Sequence, residues 1–91
     1  MGFLRKLTLL IDITGDITSF CIEIYNKNTN EIIHSENIDV ISENTEIYTT
    51  SLLSIMVTGR VGIDINVKKN NGSKTSNINI KQIVVYSSNS M

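Results

Sequence analysis

The sequence predicts an all-β fold, an antiparallel β-sandwich of jelly-roll or Ig-like form with about seven or eight short strands and little or no helix. Three observations lead there. Apolar residues recur at every second position, most cleanly in RVGIDINVKKNNGSK (60–74), where Val61, Ile63, Ile65 and Val67 interleave with Arg60, Gly62, Asp64, Asn66 and Lys68. That period gives a strand one dry face and one wet face. Isoleucine, valine and threonine favour extended backbone, and no window sustains a period of 3.6. Turn residues interrupt the chain at intervals of roughly 8 to 12 residues, the spacing of strands in a sandwich or small barrel.

Taken in order, the first strand covers about Leu4 to Thr14, with Leu7, Leu9, Ile11 and Ile13 on one face; Leu10 interrupts the polar face, so part of that side is also expected to be covered. Gly15-Asp16 turns the chain into Phe20, Ile22 and Ile24, which alternate with Ser19, Cys21, Glu23 and Tyr25. Asn26 to Asn30 is a cluster of turn formers. In Glu31 to Ile41 the adjacent Ile32 and Ile33 are out of phase with Ile38 and Val40, which asks for a bulge near Ser35 to Asn37. A short strand follows at 44–50, with Ile47 on the face opposite Glu46 and Tyr48, and then Leu53, Ile55 and Val57 alternate up to a turn at Thr58-Gly59. Asn71-Gly72 reads as the turn of a hairpin that joins the 60–68 strand to the last one, Ser76 to Tyr86. There Ile78 and Ile80 are out of phase with Ile83 and Val85, so a second bulge is expected. IDITG (11–15) followed by IEI (22–24) weakly echoes IMVTG (55–59) followed by IDI (63–65), a hint that each half contributes a similar hairpin.

The 91 residues make one domain, 1–91, with residues 1–6 as a candidate N-terminal arm and 87–91 as a flexible polar tail. Phe3 and Leu4 are apolar enough to insert into a neighbouring subunit, or else to continue the first strand into the core. A net charge of -1 provides no field to steer the chain toward nucleic acid or an anionic membrane. Lys6 stands where a myristoylation signal needs Ser or Thr, and the apolar run from Leu7 stops at Asp12, too early for a secretory signal. The single cysteine, Cys21, fits a reducing compartment and reads as a small, partly buried strand residue.

Few residues have reactive chemistry. His34 with Glu36 on its face and Glu31 on the other gives too few ligands for zinc, so His34 reads as a solvent-facing strand residue. The aspartates are scattered, the glycines fall singly at turns, and no phosphate loop occurs. The expectation is therefore a protein that is not an enzyme and takes no cofactor or metal. Lys68, Lys69 and Lys74 flank the Asn71-Gly72 turn and are either a patch for an acidic partner or a solvated tip. Tyr25, Tyr48 and Tyr86 are amphipathic and suited to anchoring an interface or stacking on sugars.

The segments LTLLIDITGDITSFCIEIYNKNTNE (7–31) and SLLSIMVTGRVGIDINVKKNNGSKTSNINIKQIVVYS (51–87) resemble small all-β modules of bacteriophage structural proteins, among them capsid decoration and tail or baseplate accessory proteins. The resemblance rests on an I-x-I-T-G strand leading into an I-E-I-Y-N strand, and on V-T-G leading into an alternating strand, a glycine turn and a last strand. It implies a non-enzymatic virion protein assembled in the bacterial host cytoplasm, present as a homo-oligomer or symmetric lattice and bound to a major capsid or tail protein, with no nucleic acid or membrane partner. The candidate contact residues are then Phe3, Leu4, Arg5, Tyr48, Lys68, Lys69 and Tyr86. A carbohydrate-binding module, or a small inhibitor of a host protein, is the rival expectation; the first requires tyrosines sharing one exposed face.

Overall fold

Alternating side chains of β-branched type produce extended backbone wherever one face can be buried, and the computed structural model, which describes residues 2–57 and 62–88, contains seven strands and no helix. They are β1 (Gly2–Thr14), β2 (Ser19–Asn26), β3 (Ile32–Asp39), β4 (Thr45–Thr49), β5 (Ile55–Val57), β6 (Ile63–Lys69) and β7 (Asn77–Ser88). All pairings are antiparallel.

β1 is the spine of the first sheet. β7 runs along one side of it, from Phe3 opposite Ser88 to Thr14 opposite Asn77. Along the other side β4 and β5 lie end to end, β4 beside Thr8–Asp12 and β5 beside Gly2–Leu4. The link between them stays on that side, because the Thr50 amide donates to the Leu7 carbonyl and the Leu53 amide to the Arg5 carbonyl. The second sheet has the order β3-β2-β6. At about 3.3 Å per residue a strand as long as β1 extends roughly 43 Å, which accounts for the 40 Å long axis of the molecule.

The two sheets share one core, an arrangement consistent with a β-sandwich. Leu4, Leu7, Leu9, Ile11 and Ile13 of β1 and Phe20, Ile22 and Ile24 of β2 are its most deeply buried side chains, and half-buried Ile38, Ile63, Ile65, Val67 and Ile78 pack around them. The Phe20 and Tyr48 rings meet edge to face, with centroids 5.0 Å apart, a geometry that aligns ring edge with ring face.

Several sequence expectations shift. The 71–72 turn does not close a hairpin, because β6 pairs with β2 and β7 with β1; Asn71 and Gly72 are part of an arch that carries the chain from one sheet to the other. In β4 the phase is reversed: Tyr48 is buried beside Leu9, and Ile47 is exposed. The β3 bulge falls between Ile24/Tyr25 register pairs, at Ile33, and not near Ser35 to Asn37. The expected β7 bulge is present at Lys81, between the Leu10–Gln82 and Ile11–Ile80 pairs, and an additional one in β1 lies at Arg5. Residues 2–6 form strand, held between β5 and β7, in place of an arm, and Ser87 and Ser88 end β7 in place of starting a tail. The Thr58-Gly59 turn, the Arg60-Val61 start of the next strand and residues 89–91 lie outside the described residues.

Candidate functional site

The densest polar arrangement lies at one end of the two sheets, where the β1–β2 arch meets the β6–β7 arch. Gly15 has φ +95° and Gly72 φ +108°, values that glycine tolerates and other residues rarely adopt. Asp16 Oδ1 accepts hydrogen bonds from the Ser73 amide at 2.8 Å and the Ser73 hydroxyl at 3.2 Å. Asn71 Oδ1 accepts from the Thr18 and Ser19 amides, and its Nδ2 donates to Thr18 Oγ1. Lys69 Nζ donates to the Ser73 and Ser76 carbonyls and to Ser76 Oγ. The backbone amide of Ser73, followed by the other local donors and Lys69, holds the Asp16 carboxyl below the ordinary carboxylate range.

This arrangement joins the two arches, and the three acceptors around Lys69 Nζ use all of its donors. Lys68, the neighbouring candidate, is 3.4 Å from Glu23, which also accepts from Asn66. An open cleft of about 430 Å³ separates β6 from β7 beside Val67, Lys68, Lys69, Lys74 and Ile78. With Lys69 committed internally, its basic rim is weaker than the sequence implies.

His34 and Glu36 differ from the sequence expectation more sharply. They lie opposite Ile24 and Ile22 in the β2–β3 register, so they are on the inner face of the sheet and not toward solvent. The strand β3 is an edge that overhangs the core, and there a polar bridge replaces apolar packing: Glu36 accepts from the Ser51 amide at 3.0 Å and the Ser51 hydroxyl at 2.8 Å, and His34 Nε2 is 3.0 Å from Glu36 Oε1. Burial alone would raise the Glu36 pKa, but the hydrogen bonds from His34 and Ser51 outweigh it and leave the carboxyl below its usual value. Among the described residues, no group of three or more His, Cys, Asp and Glu side chains is placed to hold a metal ion.

Leu4 and Tyr48 are not contact residues. Each is nearly fully buried, at 2% and 3% exposure, and the Tyr48 hydroxyl accepts a hydrogen bond from the Ile41 amide. The bulge at Arg5 shifts the phase of β1 and turns Leu4 to the same inner face as Leu7, Leu9, Ile11 and Ile13, while Tyr48 packs edge to face on the Phe20 ring. Phe3, Arg5 and Tyr86 do come together, at one end of the first sheet. The Arg5 guanidinium is 5.1 Å from the Phe3 ring centre and donates to Ser88 Oγ and Ser54 Oγ, and Lys6 Nζ lies 4.6 Å from the centre of the Tyr86 ring.

That end belongs to a larger apolar surface. On the outer face of the first sheet, Leu10, Ile47 and Val84 line a depression of about 120 Å³ with Thr8 and Gln82. The inner face of β7 is also uncovered: Ile80, Ile83 and Val85 are 36%, 38% and 52% exposed although they pair with fully buried Ile11, Leu9 and Leu7. Beyond Ile78, β7 projects past the second sheet. Ile47, Met56, Ile83, Val84 and Val85 are thus surface candidates that sequence reasoning did not select. The unbroken run Ile83-Val84-Val85-Tyr86 was the available signal, since a strand with one wet face does not need four successive nonpolar or aromatic residues. No protein family, curated protein or solved structure matches the chain.

Proposed function

We propose that the chain is a non-enzymatic structural protein of a bacteriophage virion, a capsid decoration protein that binds the capsid surface in many copies, with a tail or baseplate accessory role as the neighbouring alternative. The observation that supports this reading is the apolar surface of the first sheet. On its outer face Ile47, Met56, Val84 and Tyr86 are each 36% or more exposed, on a domain of only 91 residues, and clustered apolar exposure marks a docking surface. A small domain of this kind gains stability from assembly, because a partner that binds only the folded form shifts the folding equilibrium toward it.

The carbohydrate-binding alternative lacks a platform. Tyr48 is buried, Tyr25 lies on the other sheet with its hydroxyl donating to Asp64 at 3.3 Å, and Tyr86 has no tyrosine neighbour on its face. Mass spectrometry of purified particles tests the virion reading. Copies of the chain in stoichiometric ratio to a capsid or tail protein are expected, and particles that contain none overturn it. The position of the gene beside capsid or tail genes is the corresponding genomic expectation.

A further inference from the structure

We infer that β7 is a self-pairing edge: two copies of this chain join β7 to β7 antiparallel about a two-fold axis near Val84, making one continuous sheet from two. The inference deepens the structural reading above, and rests on it only for the setting in which the pairing operates.

The edge is long and open. β7 has 12 residues, β1 occupies one side of it, and no described strand lies on the other. Such a row of backbone donors and acceptors is a template for another strand unless the chain blunts it with proline, charge, a bulge or a covering loop. The chain has no proline, and the one charged side chain of β7 coincides with its bulge at Lys81, which leaves Gln82 to Tyr86 in unbroken register. The contrast with β3 is informative. On the inner face of that edge strand Glu36 bonds across to Ser51, whereas β7 presents bare isoleucine and valine on its inner face.

The strand is also complementary to itself. In an antiparallel pair, directly opposed residues share a face. A dyad at Val84 places Val84 against Val84 and Gln82 against Tyr86 on the outer face, and Ile83 against Val85 on the inner face. Lys81 then meets the serines at 87–88 and no charge. A dyad one residue earlier would set Lys81 against Val85. A second copy therefore supplies what the edge lacks, and an isologous contact closes as a dimer without propagating a fibre.

The expected interface is small. A paired run of about nine residues, roughly 30 Å long at 3.3 Å per residue and one sheet thick, buries on the order of 300 to 400 Å² per partner, below the usual ~800 Å². Pairing is accordingly weak in free solution, and strong where a lattice already holds copies side by side at high effective concentration.

Sedimentation of the purified chain from 10 µM to 1 mM tests this. A reversible monomer–dimer equilibrium within that range is expected, abolished by Val85→Lys, which puts an inward charge on the edge at a half-exposed position. Ile47→Lys, on the same sheet but away from the edge, should leave it unchanged. Circular dichroism confirms that each variant retains its strands, and if Val85→Lys does not, Val84→Lys replaces it. In a Cys21→Ser background, Val84→Cys should form an intermolecular disulfide under mild oxidation, and Ile47→Cys should not. A monomer at 1 mM overturns the inference. So does association lost with Ile47→Lys and kept with Val85→Lys, which would assign it to the outer apolar face. These outcomes are independent of the particle composition, so a dimer whose chain is missing from virions would overturn the virion reading and leave the edge standing.

Discussion

Glu36 shows how one side chain can carry a pH response. Its folded-state pKa lies below the ordinary value of 4.5, so its contribution to stability is full above that value and is lost as pH falls through the lower folded one. Glu36→Gln keeps the size but loses the charge-assisted bonds to Ser51. We expect a cost of about 1 kcal/mol at neutral pH and a flatter decline between pH 5 and 3 (a range chosen around the usual carboxylate pKa), measured by urea unfolding at each pH. Gly15 is a second sensitive position. A Cβ there would stand 2.6 Å from Ser76 Cβ and 2.8 Å from Ser76 Cα, at φ +95°, so Gly15→Ala should destabilise by about 2 kcal/mol or more, visible as a lower urea midpoint with an unchanged slope. Neither residue's environment could be read from its neighbours in sequence. Gly15 was legible as a turn, but Ser76, the residue that makes it irreplaceable, is sixty-one positions away.

At the level of elements, alternation identified every described strand, and side-chain period gave the buried faces of β1 and β2 correctly. It failed where tertiary partners decide. In β4, Ile47 and Tyr48 are both plausible inward residues, and only the Phe20 ring selects Tyr48. For Asn71-Gly72 the local signal is a turn, and a turn serves a hairpin or an arch equally; the choice depends on β7 finding β1 across a long stretch of chain. The arch then depends on Asn71, which bonds three groups of the 18–19 backbone and side chain. Asn71→Ala should cost about 1 to 2 kcal/mol and raise amide exchange of Thr18 and Ser19 selectively. Among whole strands, β1, bonded on both sides, should exchange slowest, while the outward amides of β7 exchange as solvated groups.

The exposed surface decides behaviour at the scale of the whole molecule. The core is legible as a list of residues, whereas the site is not, because apolar residues read as core until the second sheet is seen to stop short of β7. If two copies pair through that strand, melting temperature should rise with protein concentration, since association removes folded monomer from the unfolding equilibrium. Differential scanning calorimetry at 20 µM and 500 µM would read this as an upward shift that Val85→Lys removes.

The register between Phe3 and Ser88 has a consequence for biosynthesis. Of the seven described strands, the first to leave the ribosome is the spine of a sheet whose longest partner is the last of them to emerge, so one side of its backbone stays unpaired until β7 has been made. Nascent chains arrested at Ser76 should therefore remain protease-sensitive and engage chaperones, and resistance should appear only once β7 has emerged.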